Sequence, residues 1–293
     1  MSVSVLGVVG AGFMGSGIAE SAAAAGKQVV LYEPELAPLE RSRERLATSV
    51  ARAVERGKLS GEEAAALTAR VSYTTELDGL RGVDAVIEAA VENPAIKGEL
   101  FERLDATLPD AVFLASNTSS IPIGELAART QRPQRVLGLH FFSPVPVMKL
   151  VEIVVALDTS VETVAAAEEF AREIGKQAIR AADRSGFIVN MLLVPYLVAA
   201  VRMYEAGFAS REDIDTGMKL GCGHPMGPLE LSDFIGLDVL QAVCESLYEE
   251  FKLPEYAPPP LLLRMVAAGH HGRKSGRGFY EHAPAGDAGR PTA

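Results

Sequence analysis

Short runs of aliphatic and β-branched residues recur along the first half of the chain. They are VSVLGVV (3–9), QVVLY (28–32), DAVIEA (84–89), VFLAS (112–116), VLGLH (136–140) and LVEIVVA (150–156). Apolar runs this short, bounded by turn-forming residues, predict strands. Helical stretches separate most of them, including 35–57 and 94–107, the latter opened by Asn93 as a cap and Pro94 at its first position. Strands alternating with helices predict a mostly parallel sheet covered on both faces. After Gly186 long helical segments take over, as in FIVNMLLVPYLVAAVRMYEAG and REDIDTGMKLG. Ser210, three residues before Asp213, resembles a capping box for the second of these. LPEYAPPP reads as a loop leading to a short helix that ends near Gly269. The turn chemistry of ADRSG (182–186) marks the predicted boundary, giving an α/β domain over 1–184 and an all-helical domain over 185–293.

Composition narrows the function classes. The chain has 293 residues, 48% hydrophobic and 23% charged, as expected of a folded protein. A net charge of −10 argues against a general nucleic-acid or anionic-membrane binder, which needs a positive field. Two cysteines, Cys222 and Cys244, are too few for a disulfide scaffold or a cysteine-ligated zinc site. MSVSVLGVVGAGFMG has no basic leader region, and no run is long and apolar enough to span a membrane. The cytoplasm is therefore the expected location.

GAGFMG places Gly10, Gly12 and Gly15 in a G-x-G-x-x-G pattern, with Ala11, Phe13 and Met14 between them. It follows a predicted strand and opens an Ala-rich helix. The first glycine permits the tight turn, the second lets a pyrophosphate approach, and the third lets helix pack on sheet. Glu33 closes the second strand, eighteen residues after Gly15, where a carboxylate binds the ribose hydroxyls of NAD and repels a 2′-phosphate. No arginine follows it immediately. The context favours a Rossmann-type dinucleotide site, selective for NAD, over an unliganded glycine turn.

Glu152 sits among Val151, Ile153, Val154 and Val155, where an unpaired buried carboxylate would cost several kcal/mol, about 2 or more. His140 ends the preceding strand, at the edge where ligands bind in open α/β sheets. Between them FFSPVPVMK turns the chain, so Glu152 can meet the imidazole and fix its tautomer. Alone, such a His is commonly packed or solvated, and such a Glu can point outward from an edge strand. Beside a dinucleotide site the pair reads as general base and orienting carboxylate. ASNTSSIPIGEL (115–126) supplies Ser119 as a donor to a substrate oxygen and Asn117 as a neighbour of the nicotinamide ribose. Such clusters are more commonly hydroxyl-rich turns that cap the next helix. Asn190, an amide in an apolar helix, either caps a loop or binds substrate.

Together GAGFMGSGIA, EAAVENPAIK, ASNTSSIPI, HFFSPVPVMKLVEI, SGFIVN, DIDTGMKLG, HPMGPLEL and GRKSGRGFY resemble the L-3-hydroxyacyl-CoA dehydrogenases, in particular the short bacterial 3-hydroxybutyryl-CoA members, from about residue 3 to residue 281. The resemblance implies an NAD-binding domain, a helical domain that dimerises, and an acyl-CoA substrate bound in a cleft between them. It implies catalytic roles for His140 and Glu152, and substrate contacts from Ser119 and Asn190. It further implies NAD contacts from Glu92, Lys97, Ser143 and Lys274, and CoA contacts from Ser49 and Arg56. Arg52, Arg56 and Lys58 form a small cationic cluster suited to an anionic CoA. Many relatives carry Asn at position 143 and Arg at position 191, where this chain has Ser143 and Met191. The reaction expected is reversible oxidation of an L-3-hydroxyacyl-CoA, short-chain in preference, with no metal. Two alternatives are a dehydrogenase of this fold acting on a non-CoA 3-hydroxy acid and a silent nucleotide-binding protein.

Overall fold

A computed structural model describes residues 3–283. The chain divides into two compact units, Met1–Arg184 and Ser185–Ala293. The first is built from β1 (Val5–Val9), α1 (Phe13–Ala24), β2 (Gln28–Tyr32), α2 (Leu36–Glu55), α3 (Gly61–Ala69), β3 (Val71–Thr74), β4 (Ala85–Glu88), α4 (Pro94–Thr107), β5 (Leu114–Ser116), α5 (Ile123–Ala127), β6 (Val136–Phe141), β7 (Leu150–Val155), α6 (Val161–Glu173) and β8 (Gln177–Ala182). The strands form one sheet in the order β3-β2-β1-β4-β5-β6-β7-β8. All neighbours are parallel except β6 and β7, which run antiparallel.

The reversal at β6–β7 sets the side-chain geometry of the edge. Leu139 faces Ile153, Phe141 pairs with Val151, and His140 lies directly opposite Glu152. Alternation sends Leu137, Leu139, Phe141, Val151 and Ile153 into the core with Ala167 and Phe170 of α6. Phe170 meets Phe113 edge-on at 6.0 Å between ring centroids. His140 and Glu152 therefore share the opposite face. Truncating Phe170 to Ala would cost roughly 3–5 kcal/mol, mostly from the cavity left under these strands.

Three elements differ from the sequence expectation. VSYT forms β3, four residues at the sheet edge. QAIRAA forms β8 although its alanines carry little strand propensity, because pairing with β7 supplies the hydrogen bonds. α3 is opened by a complete capping box: Ser60 Oγ accepts from Glu63 N, and Glu63 accepts from Ser60 N at 2.7 Å. At Ser210 the box is only half made. Its hydroxyl accepts from Asp213 N at 3.0 Å, but the Asp213 carboxylate takes the Ser210 hydroxyl proton instead of the backbone N–H. The Asn93 cap forms as the sequence predicts, accepting from Ala95 N and Ile96 N at 3.0 and 3.1 Å.

The second unit is helical: α7 (Val189–Glu205), α8 (Arg211–Cys222), α9 (Pro228–Ile235), α10 (Leu237–Phe251) and α11 (Pro260–Ala267). Its own core gathers Leu197, Val201, Leu229, Leu237, Leu240 and Leu247. Asp233 and Asp215, both almost fully buried, fasten the helices. Asp233 accepts from Phe279 N, Tyr280 N and His282, while Asp215 accepts from Leu229 N, Glu230 N and the Tyr280 hydroxyl. No helix among the described residues is long and apolar enough to cross a membrane.

Candidate active site

The glycine turn is shaped by contacts that exclude side chains at two positions. Gly10 has φ +101°, and a Cβ there would sit 2.5 Å from the Ala89 carbonyl oxygen. A Cβ on Gly15 would sit 1.9 Å from the Gly10 carbonyl oxygen, so α1 can approach β1 only with glycine there. Gly12, the N-cap of α1, has open space where its Cβ would be, and no side chain caps the helix. That leaves the first-turn N–H groups and the helix dipole facing an open cradle that fits a pyrophosphate. Glu33, just past β2, accepts from Ala11 N at 3.1 Å and so stands at the lip of the turn. It is followed by Pro34 and Glu35, leaving no adjacent cation for a 2′-phosphate. These residues fit NAD. Phe13 is exposed and Met14 half-buried at the mouth of the turn, while Arg45 closes its back by donating to the Ala11 carbonyl at 2.9 Å.

At the carboxyl end of β6, His140 Nδ1 lies 2.7 Å from Glu152 Oε2. Glu152 has no solvent exposure, and His140 is 7% exposed. An ionised carboxylate can only accept, so the proton of the neutral imidazole sits on Nδ1 and the lone pair on Nε2. Phe142 lies tilted against the imidazole at 4.7 Å, limiting its rotation. Asn117 follows β5 and accepts through Oδ1 from Phe141 N at 2.9 Å, which ties the end of β5 to the end of β6, the strand that carries His140.

The loop after β5 presents Ser119. Its backbone N–H donates to Glu92 Oε1 at 3.2 Å, and the Ser120 hydroxyl donates to the same oxygen at 3.0 Å, as does that of Thr118. Burial pushes the Glu92 carboxyl up, but Lys97 and the Thr118 and Ser120 hydroxyls together outweigh it and hold the group below its ordinary range. Its side chain is partly exposed, so solvent screens much of that effect. Lys97 is 1% exposed, and its ammonium lies 2.6 Å from Glu88 and 3.2 Å from Glu92. Among the described residues its charge is thus turned inward. Glu88, a fully buried carboxylate at the end of β4, is a residue that sequence reasoning passed over, although a Glu inside DAVIEA poses the question asked of Glu152.

The remaining predicted residues of the first unit lie on other elements. Ser143 is exposed in the loop after β6. Ser49 on α2 gives its hydroxyl to Glu20 at 2.6 Å, and burial raises the Glu20 carboxyl despite that bond. Arg56 is exposed at the C-cap of α2. Asn190 and Lys274 belong to the second unit. Asn190 is half-buried in the first turn of α7, and Lys274 Nζ donates to Asp238 Oδ2 at 2.5 Å.

Residues 5–184 match the family model for the 3-hydroxyacyl-CoA dehydrogenase NAD binding domain, and residues 186–282 that for the 3-hydroxyacyl-CoA dehydrogenase C-terminal domain. A 3-hydroxybutyryl-CoA dehydrogenase of Mycobacterium tuberculosis is 55% identical over 284 residues, covering 96% of this chain and 99% of that protein. The crystal structure of M. tuberculosis FadB2 superposes with a TM-score of 0.95 at 54% identity, over 97% of this chain and 100% of that one. (S)-3-Hydroxybutyryl-CoA dehydrogenase PaaH1 from Ralstonia eutropha gives a TM-score of 0.91 at 45% identity, over 96% and 100%. With both family models and near-complete relatives agreeing, the chain belongs to the 3-hydroxyacyl-CoA dehydrogenase family.

Proposed function

We propose that this chain oxidises an L-3-hydroxyacyl-CoA, short-chain in preference, to the 3-oxoacyl-CoA with NAD, reversibly, and that His140 is the general base. The observation that carries the assignment is the 2.7 Å His140–Glu152 pair at the sheet edge of an NAD-binding domain. NAD held at the glycine turn would supply the hydride acceptor for C3 of the substrate. Nδ1 is committed to Glu152, so proton exchange with the C3 hydroxyl falls to Nε2. Buried Glu152 stabilises the imidazolium formed by that transfer and keeps the ring in the right tautomer. In the reducing direction the same imidazolium returns the proton. Ser119 donates to the C3 oxygen. Asn190 is assigned to the substrate and Lys274 to the coenzyme on the family motif alone, as are Ser49 and Arg56 to the CoA moiety.

The chain is further proposed to work as a homodimer through its helical unit, where Phe208 and Leu220 are 78% and 82% exposed. The test of the reaction is NADH consumption with acetoacetyl-CoA, run beside free acetoacetate and beside NADPH. Fast turnover restricted to the thioester with NADH is the expected result. Turnover of acetoacetate but not of its CoA ester would overturn the substrate, and NADH binding without any turnover would overturn the enzyme reading.

A further inference from the structure

In the first unit a chain of buried polar contacts closes on itself beside the Ser119 loop. Glu88 Oε1 accepts from Lys97 Nζ at 2.6 Å, and Lys97 reaches Glu92 Oε2 at 3.2 Å. Glu92 Oε1 accepts from the Thr118 hydroxyl. Thr118 N donates to Ser116 Oγ at 3.2 Å, and the Ser116 hydroxyl returns to Glu88 Oε2 at 2.6 Å. Glu88, Lys97, Ser116 and Thr118 are each 2% exposed or less, so water does not compete inside the ring. Glu92 is the member at the rim, and it accepts a hydrogen bond from the Ser119 backbone N–H. The Ser119 hydroxyl makes no hydrogen bond among the described residues, so the ring fixes the residue's backbone and leaves its side chain for a ligand.

We propose that this ring is the device that positions Ser119, with Glu88 as anchor, Lys97 as link and Glu92 as the clasp on the loop. The inference rests on the reading that Ser119 binds the substrate oxygen. Three donors of residues 118–120 converge on one carboxylate oxygen, an arrangement that a solvated surface Glu would not need. Because Glu92 acts through Ser119, removing both should cost no more than removing Ser119.

The experiment is a double-mutant cycle, with steady-state kcat on acetoacetyl-CoA and the NADH dissociation constant by fluorescence titration as readouts. Glu92→Ala is expected to lower kcat about tenfold through loss of loop position. Glu92→Gln should recover most of the loss in kcat, since its carbonyl still accepts from the loop, while any loss of the coenzyme contact that the family resemblance implies for Glu92 is read separately in the NADH dissociation constant. Glu92→Ala combined with Ser119→Ala should be no slower than Ser119→Ala alone. Ser120→Ala, run through the same cycle, reads the same coupling should Glu92→Ala misfold. Losses that multiply, or a Glu92→Ala effect confined to NADH affinity, would overturn the proposal while leaving Ser119 in place. Full kcat in Ser119→Ala would remove the substrate role of Ser119 and the proposal with it.

Discussion

Two carboxylates, Glu88 at the carboxyl end of β4 and Glu152 within β7, have no exposure to solvent, yet they meet opposite kinds of partner. Glu88 faces Lys97, the Ser116 hydroxyl and the Ala90 N–H, a permanent cation and two fixed donors. Glu152 faces an imidazole, a ring that can take up or release a proton. The first arrangement gives a charge that never needs to move and so serves the architecture. The second gives a charge that is completed only when a proton arrives, which is what turnover requires. A buried acid alone is no sign of catalysis; the titrability of its partner distinguishes the two.

The sharpest way to break the comparison is to neutralise each acid in turn. Glu88→Gln leaves the Lys97 ammonium buried with only the rim carboxylate of Glu92, and is expected to destabilise the protein by roughly 3–5 kcal/mol. Urea denaturation checks it; a loss under about 1 kcal/mol would show that the pair is not structural. Glu152→Gln keeps a hydrogen-bond acceptor beside Nδ1 but loses the charge that supports imidazolium. Its kcat is expected to fall about a hundredfold, with NADH affinity held. Stopped-flow rates equal to wild type would dissolve the dyad.

A third buried acid offers the smallest effect and a different solution. Cys244 in α10 is fully buried, and burial pushes its thiol up to about 12, so it stays neutral. Its folded value is raised, so this contribution to stability is whole below the ordinary value of 9.0 and is lost as pH climbs from there towards 12. The slope is at most about 1.4 kcal/mol per pH unit. At pH 8 a thiol reagent is expected to titrate exposed Cys222 alone in the native chain, and both cysteines after denaturation. Two thiols reacting at once would show that the α10 face opens readily.

Much of this was legible in the chain itself. The glycine turn, Glu33, the Asn93 cap and the apolar strand runs are local signals, each written within a few residues of where it acts. The His140–Glu152 contact is legible as well, because a carboxylate among valines demands a partner and the turn between them limits where it can be. The Glu88–Lys97 pair obeys the same logic, but its partner lies on the far side of a loop and helix start, where spacing alone does not predict contact. β8 escaped for another reason: QAIRAA carries no periodic signal, and its conformation comes from β7 beside it. Ser60–Glu63 shows the reverse, a local motif easily passed over because the helix behind it is short and Ala-rich.

The antiparallel seam between β6 and β7 also constrains how this chain can vary. His140 and Glu152 share a face only because the loop over residues 142–149 returns the strand in one register. Lengthening that loop is harmless if the pairing is kept. Sliding β7 by a single residue would turn Glu152 into the hydrophobic core and bring an apolar neighbour to the imidazole. Lys176 guards the arrangement by donating to the loop carbonyls of Val145 and Met148 at 2.5 and 2.7 Å. Insertions here are therefore filtered by parity before they are filtered by size, and descendants of this sequence can remodel the loop's surface while its register is inherited unchanged.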